Sequence, residues 1–151
     1  MADFYQNGIV TTLHNLTDRP VEDLERELMS FSRLRPMSLV LPSLFSELEG
    51  PALSNIIDEV AQVPYLNEIV IGLDRADQSQ YEFAQKFFSK LPQHHRILWN
   101  DGPRLRKLDE MLAEKGLSPT EMGKGRNVWY CYGYVLASGR AESVALHDCD
   151  I

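Results

Sequence analysis

Glu68-Ile-Val-Ile-Gly-Leu-Asp74 is a run of apolar, largely β-branched residues closed at each end by a carboxylate. A short continuous run of this kind reads as a strand buried on both faces, which is the habit of parallel sheets. Upstream, Met37 to Leu41 reads as another such strand, closed by Pro42. Downstream, Arg96-Ile-Leu-Trp99 reads as a third, closed by Asn100-Asp101-Gly102-Pro103. The segments between them carry helical periodicity: Leu53, Ile56, Ile57 and Val60 in one, and Tyr81, Ala84, Phe87 and Phe88 in the next, with Leu91 beyond. After the third strand, Leu105, Leu108, Met111 and Leu112 mark a helix ending at Gly116, and Val128, Cys131, Tyr132, Val135 and Leu136 mark another. A fourth strand, expected to be buried, runs into Glu142-Ser-Val-Ala-Leu-His-Asp148-Cys-Asp150-Ile151. Strands alternating with helices predict an α/β fold, a Rossmann-like three-layer sandwich whose mostly parallel sheet has helices on both faces.

Residues 1–36 stand apart as an extended lead-in and one helix. Val21, Leu24, Leu28 and Phe31 recur at helical spacing, with Thr17, Asp18 and Pro20 as start signals and Arg35-Pro36 as the stop. This helix is expected to cover an edge of the domain formed by residues 37–151. The segment from Leu117 to Gly123, with Ser, Pro, Thr and Gly, reads as a loop.

Bulk properties narrow the function. The 151 residues allow one domain with a sizeable core, and shares of 44% hydrophobic and 25% charged residues fit a soluble globular chain. A net charge of -7 argues against a nucleic-acid binder, so an anionic ligand needs local positive charge or a metal ion. Two cysteines, Cys131 and Cys149, make no disulfide framework and fit a reducing compartment. The start has no basic segment followed by an apolar one, and no apolar run reaches the length of a membrane span. A cytoplasmic location is expected.

Three groups of residues carry chemistry. Asp148 and Asp150 follow a strand, at the edge where open α/β sheets bind ligands. In extended backbone both side chains point the same way, which suits a hard divalent cation such as Mg2+ or Mn2+ and, through it, a phosphate. Alone, an Asp-x-Asp pair is as readily a solvated strand end. Gly123-Lys124-Gly125-Arg126 opens a predicted helix, where free N–H groups and a lysine attract anions. It lacks the spacing and the Ser or Thr of a Walker loop, and by itself it reads as an ordinary turn. The loops after the first two strands, Pro42-Ser-Leu-Phe-Ser-Glu47 and Asp74-Arg-Ala-Asp77, open on the same edge as Asp148. Leu44 and Phe45 are placed to flank a base and Asp74 to accept from a ribose or base. Helix capping by Ser46 and Asp77 explains the same residues equally well.

Taken in order, Pro42-Ser-Leu-Phe-Ser-Glu47, Gly72-Leu-Asp74-Arg-Ala-Asp77, Gly123-Lys-Gly125 and Asp148-Cys-Asp150 resemble the nucleotide-sugar-binding half of GT-A-fold glycosyltransferases. The resemblance is greatest to the glucosyl-3-phosphoglycerate synthase group, which are retaining enzymes, and it covers about residues 37 to 151. It implies that Pro42, Leu44, Glu47 and Asp74 hold the nucleoside and that Lys124 contacts the diphosphate. It also implies that Asp150 ligates Mg2+ or Mn2+, with Asp148 mainly on ribose or sugar and secondarily on the metal. The donor implied is a nucleoside-diphosphate sugar, UDP-glucose first, and the acceptor a small polar molecule such as a phosphoglycerate. No catalytic nucleophile is identified. In such enzymes a third metal ligand and the acceptor site lie beyond the Asp-x-Asp, so the domain is expected to be cut short at its C-terminus. The alternative expectation is a nucleotide-binding fragment without turnover of its own, free to form a homo-oligomer through an unfinished sheet edge.

Overall fold

Six consecutive residues of strand β1 (Met37–Leu44), positions 38–43, are buried. In strand β2 (Leu66–Asp74) every residue from Glu68 onward is buried. A computed structural model describes residues 19–119 and 121–150 and shows why both faces of these strands are apolar. On one face Leu39, Leu41, Ile69, Ile71 and Leu73 meet Leu53 and Ile57 of helix α2 (Pro51–Val60) and Ala84 and Phe88 of helix α3 (Gln78–Phe88). On the other, Val40 and Val70 meet Cys131 and Val135 of helix α5 (Lys124–Ser138). Side chains alternate along a strand, so a sheet covered twice needs apolar residues at odd and even positions alike. Each such fully buried aliphatic or aromatic side chain stabilises the fold by roughly 1.5–3 kcal/mol before entropy is counted.

Strand β3 (His95–Trp99) lies beyond β2, and β4 (Ser143–Leu146) lies on the other side of β1. All pairs are parallel, in the order β3-β2-β1-β4. The chain therefore winds outward from β1 to β3, passes through helix α4 (Pro103–Ala113) and α5, and returns beside its starting strand. The α/β three-layer arrangement with helices on both faces is as the alternation predicts. No helix among the described residues is long and apolar enough to cross a membrane.

Three expectations are corrected. Pro42 does not close the first strand, because β1 continues through it to Leu44. The Val40 carbonyl accepts from His147 N at 3.1 Å, so even-numbered positions of β1 turn toward β4. The β4 pairing ends at Val40↔Leu146, so Pro42 falls where no ladder donor is required. The terminal strand is not buried: β4 is four residues long and all four are exposed. It pairs only with residues 37–40 of β1, while α5 lies over β1 and β2. Finally, α1 (Val21–Leu34) buries none of its residues and covers no edge, Val21, Phe31 and Leu34 being more than half exposed. Its expected start signals Thr17 and Asp18 lie outside the described residues.

Candidate functional site

In an open parallel sheet a crevice forms at the C-terminal strand ends where the winding reverses, because loops from adjacent strands leave to opposite faces. Here that point lies between β1 and β4. A cavity of about 180 Å³ occupies it, lined by Pro42, Leu44, Glu47, Asp74, Lys124, Asp148 and Asp150. These seven residues thus reach one concavity from four separate stretches of chain, whereas Phe45, expected beside Leu44 to flank a base, packs against the core cluster and Phe83 instead. A larger concavity of about 740 Å³ runs along the outer edge of β3 and shares none of these residues. Size is a weaker guide here than the convergence of charged groups at the switch point.

The β1 side of the cavity is held by local bonds. Leu44 ends the strand, and its N–H donates to Glu47 Oε2 at 2.9 Å, which fixes the 3₁₀ turn Phe45–Glu49 against the strand end. The capping explanation is met at the next loop: Asp77 accepts from Gln80 N at 2.8 Å and starts α3. That N–H bond, then the Ser79 hydroxyl, hold the Asp77 carboxyl below its ordinary pKa. Ser46 starts no helix and sits inside the 3₁₀ turn.

Asp74 is the last residue of β2 rather than a loop residue, and only 1% of its surface is exposed. A carboxylate this deep needs a partner. Arg126 supplies it, donating from one terminal nitrogen to Asp74 Oδ1 at 3.3 Å. Arg75, which follows, adopts a positive φ of 55°, so the chain turns sharply at the cavity wall.

Helix α5 brings the positive charge. It begins at Lys124, as expected, and Gly123 before it has φ 149°, a backbone setting that L side chains rarely adopt. The helix start is pinned to the sheet at Gly72. A Cβ there would stand 1.8 Å from Asn127 Oδ1, and the Asn127 amide donates to the Gly72 carbonyl at 2.8 Å. Lys124 Nζ pairs with Asp148 Oδ1 across the cavity.

Asp148 and Asp150 follow the end of β4 in a bend, not in extended strand. The intervening Cys149 is 2% exposed and packs into the core cluster beneath α2 and α3, turning its neighbours outward. Burial, then the nearby Glu47 carboxylate, push the Cys149 thiol up to about 12. Burial does the same for Cys131. Neither thiol is a nucleophile near neutral pH. Among the described residues no group of three or more His, Cys, Asp or Glu side chains gathers as a metal cage. The cavity offers two adjacent carboxylates, Asp148 half-buried and Asp150 exposed. That set fits Mg2+ or Mn2+ held partly by phosphate oxygens and water, which is how the smaller divalent ions are commonly bound.

Arg126 and Asn127 received no role from the sequence. Asn127 had a signal: with Cys131 and Val135 it stands at four-residue spacing on the sheet-facing stripe, a polar group among apolar ones. Arg126 had none, because pairing with Asp74 depends on a strand 52 residues away. Of the aromatics on α5, Tyr130 is buried and its hydroxyl donates to Asp109, whereas Trp129 and Tyr132 are exposed.

The full chain is 46% identical to the glucosyl-3-phosphoglycerate synthase of Persephonella marina, covering 38% of that protein. It is 35% identical, over 99% of its length, to the glucosyl-3-phosphoglycerate synthase of Methanococcoides burtonii, covering 36% of it. This chain is a relative of the glucosyl-3-phosphoglycerate synthases. It spans a little over a third of the length of the two relatives. The family resemblance carried by the four motifs is therefore borne out across the whole chain. No family model and no solved structure matches it.

Proposed function

We propose that this chain binds the nucleoside-diphosphate sugar for a glucosyltransferase that forms glucosyl-3-phosphoglycerate. UDP-glucose is the first donor to test and a phosphoglycerate the acceptor. The observation that carries the reading is the convergence of Pro42, Leu44, Glu47, Asp74, Lys124, Asp148 and Asp150 on one cavity at the switch point. The two relatives, both glucosyl-3-phosphoglycerate synthases, support it.

In this reading Pro42 and Leu44 pack against the nucleoside, while Glu47 and Asp74 accept its hydroxyl or base N–H groups. Lys124 and the free N–H groups at the start of α5 meet the diphosphate, a position where negative charge is stabilised. Asp150, with Asp148 beside it, would hold Mg2+ or Mn2+, which when bound offsets charge on the departing diphosphate. Lys124 already neutralises Asp148, so the site is not a bare pair of like charges before a ligand arrives. At about 180 Å³ the cavity suits part of a nucleotide sugar rather than the whole, since ligand pockets commonly span roughly 300–1,000 Å³.

The test is calorimetric titration of the chain with UDP in the presence and absence of Mn2+. Asp150→Ala is expected to weaken Mn2+-dependent binding by about tenfold or more while leaving the melting temperature within about a degree, because Asp150 is exposed. Binding that is unchanged in Asp150→Ala overturns the metal assignment, and a folded chain that binds no nucleoside diphosphate overturns the function.

A further inference from the structure

The outer edge of β3 plays no part in the binding roles above. Among the described residues β3 pairs with β2 alone, so its other side is an open strand edge. Ile69 N donates to the His94 carbonyl and Asn100 N to the Leu73 carbonyl, each at 2.9 Å, so even-numbered positions of β3 face β2. In a parallel ladder the intervening residues turn the other way, so the Ile97 N–H and carbonyl point outward. The concavity of about 740 Å³ wraps this edge on both faces of the sheet. On the α3 side its wall is Tyr81 stacked on Trp99, with ring centroids 4.7 Å apart. On the α5 side it is Arg96, Leu98 and Tyr134. Trp99 Nε1 donates to the Ala76 carbonyl at 2.7 Å and the Tyr134 hydroxyl to Glu68 at 2.9 Å, so both walls are held. Two side-chain walls with bare backbone between them have the form of a missing strand.

Charge narrows what can fill it. Residues 95–107 hold four of the chain's 15 Lys and Arg, namely Arg96, Arg104, Arg106 and Lys107, in a chain of net charge -7. The one carboxylate among them, Asp101, already accepts from Ala76 N at 3.1 Å. Arg104 stands in the first turn of α4, with Arg106 and Lys107 just after it, and that turn has no acidic residue and no side-chain cap. Cations are disfavoured at this end of a helix, so the segment holds a local conflict that an incoming anion relieves. Neither Arg96 nor Arg104 has an ion-pair partner among the described residues. We infer that the β3 edge docks an extended acidic peptide segment of a partner protein, which adds to the sheet as a fifth strand. Its backbone pairs with Ile97, one set of alternate side chains packs on Tyr81 and Trp99, and carboxylates on the other set meet Arg96. Main-chain bonds supply affinity and the alternation supplies specificity. A second copy paired through β3 would set two basic edges together, which disfavours self-association here. A nucleic acid would use the charge but leave the outward backbone groups unpaired.

The experiment is calorimetric titration of the full chain with an acetylated peptide of roughly eight residues alternating Glu and Val, with amide hydrogen exchange at Ile97 followed by NMR. The peptide is expected to bind about tenfold or more tighter than its counterpart with Lys for Glu, and to slow exchange at Ile97 about tenfold or more. N-methylation of alternate peptide residues, which removes the ladder donors, is expected to abolish that slowing. Arg96→Glu combined with Arg104→Glu is expected to reverse the preference between the two peptides. Both side chains are exposed, so the melting temperature should stay within about a degree. Arg96→Ala with Arg104→Ala, expected to level the preference, serves if the glutamate variant does not fold. An acidic peptide that fails to bind, or that binds without protecting Ile97, overturns the inference. So does a double variant that keeps the full preference. An oligothymidylate of equal charge that binds as tightly overturns it too, and makes the patch a general polyanion surface. Exchange at Ile97 that is already slow in the chain alone and quickens on dilution puts a second copy at the edge, and likewise overturns the inference.

Discussion

Two ends of the same sheet supply carboxylates to the cavity, and they are built differently. Asp74 closes a nine-residue strand that is hydrogen-bonded on both sides and buried from Glu68 onward. Its carboxylate is 2% exposed and held by Arg126, which is itself only 13% exposed. Asp148 follows a four-residue edge strand with every residue exposed, and its partner Lys124 is 56% exposed. One end is shaped before a ligand comes, whereas the other is steadied by an exchangeable ion pair. Parallel topology gives both carboxylates the same address, but burial decides how far each can move. In the proposed reading the nucleoside falls to the rigid end, where specificity needs fixed partners, and the diphosphate and metal to the looser end, where a strong charge can reorganise its neighbours.

The largest expected effect breaks the rigid end. Arg126→Met leaves the Asp74 carboxylate buried without its partner, and a stranded buried charge costs about 3 kcal/mol or more. Urea unfolding should show this as a lower midpoint with an unchanged slope. A loss under about 1 kcal/mol would mean that Asp74 is free to turn toward solvent, and the two ends would no longer differ in kind. Gly72→Ala comes next. Its Cβ would lie 1.8 Å from Asn127 Oδ1 and 2.6 Å from Cys131 Sγ, so these two buried side chains must give, and the start of α5 is expected to move with them. Overpacking of this sort costs about 2 kcal/mol. It should also loosen nucleotide binding, because Lys124 travels with the helix. A variant that loses stability but binds normally would separate the position of α5 from the cavity.

The same contrast explains what could be read from the sequence. Strands β1, β2 and β3 were legible because residues such as Val70 and Ile71 face opposite layers and must both be apolar. The convergence of Leu44, Asp74 and Asp148 was legible too, since a parallel sheet sends them to one edge whatever the loops do. What escaped depended on neighbours in space. Val144 and Ala145 suggest burial, yet a strand is buried only if something covers it, and here the α5 layer lies over β1 and β2. The bend at Cys149 was hidden because its thiol is drawn into a core assembled from α2 and α3. Arg126 was missed for the same reason, as its pairing with Asp74 exists only once the strands and α5 are in place.

The smallest expected change in stability gives the sharpest test of the looser end. Lys124→Met removes the ion pair with Asp148, but both side chains are substantially exposed, and such pairs contribute only about 0–1 kcal/mol. The unfolding midpoint should barely move. Binding should respond far more, because Lys124 is the cavity-lining lysine at an N-terminus of a helix that has no side-chain cap. A charge-assisted bond to a phosphate oxygen is strong enough that its loss weakens diphosphate binding by about tenfold. The same variant should also flatten the dependence of binding on salt, since one screened charge has gone. If stability falls by as much as it does in Arg126→Met, Lys124 is a structural strut and the asymmetry between the two ends fails. If neither stability nor pyrophosphate binding changes, the diphosphate lies elsewhere, and Lys124 only neutralises Asp148.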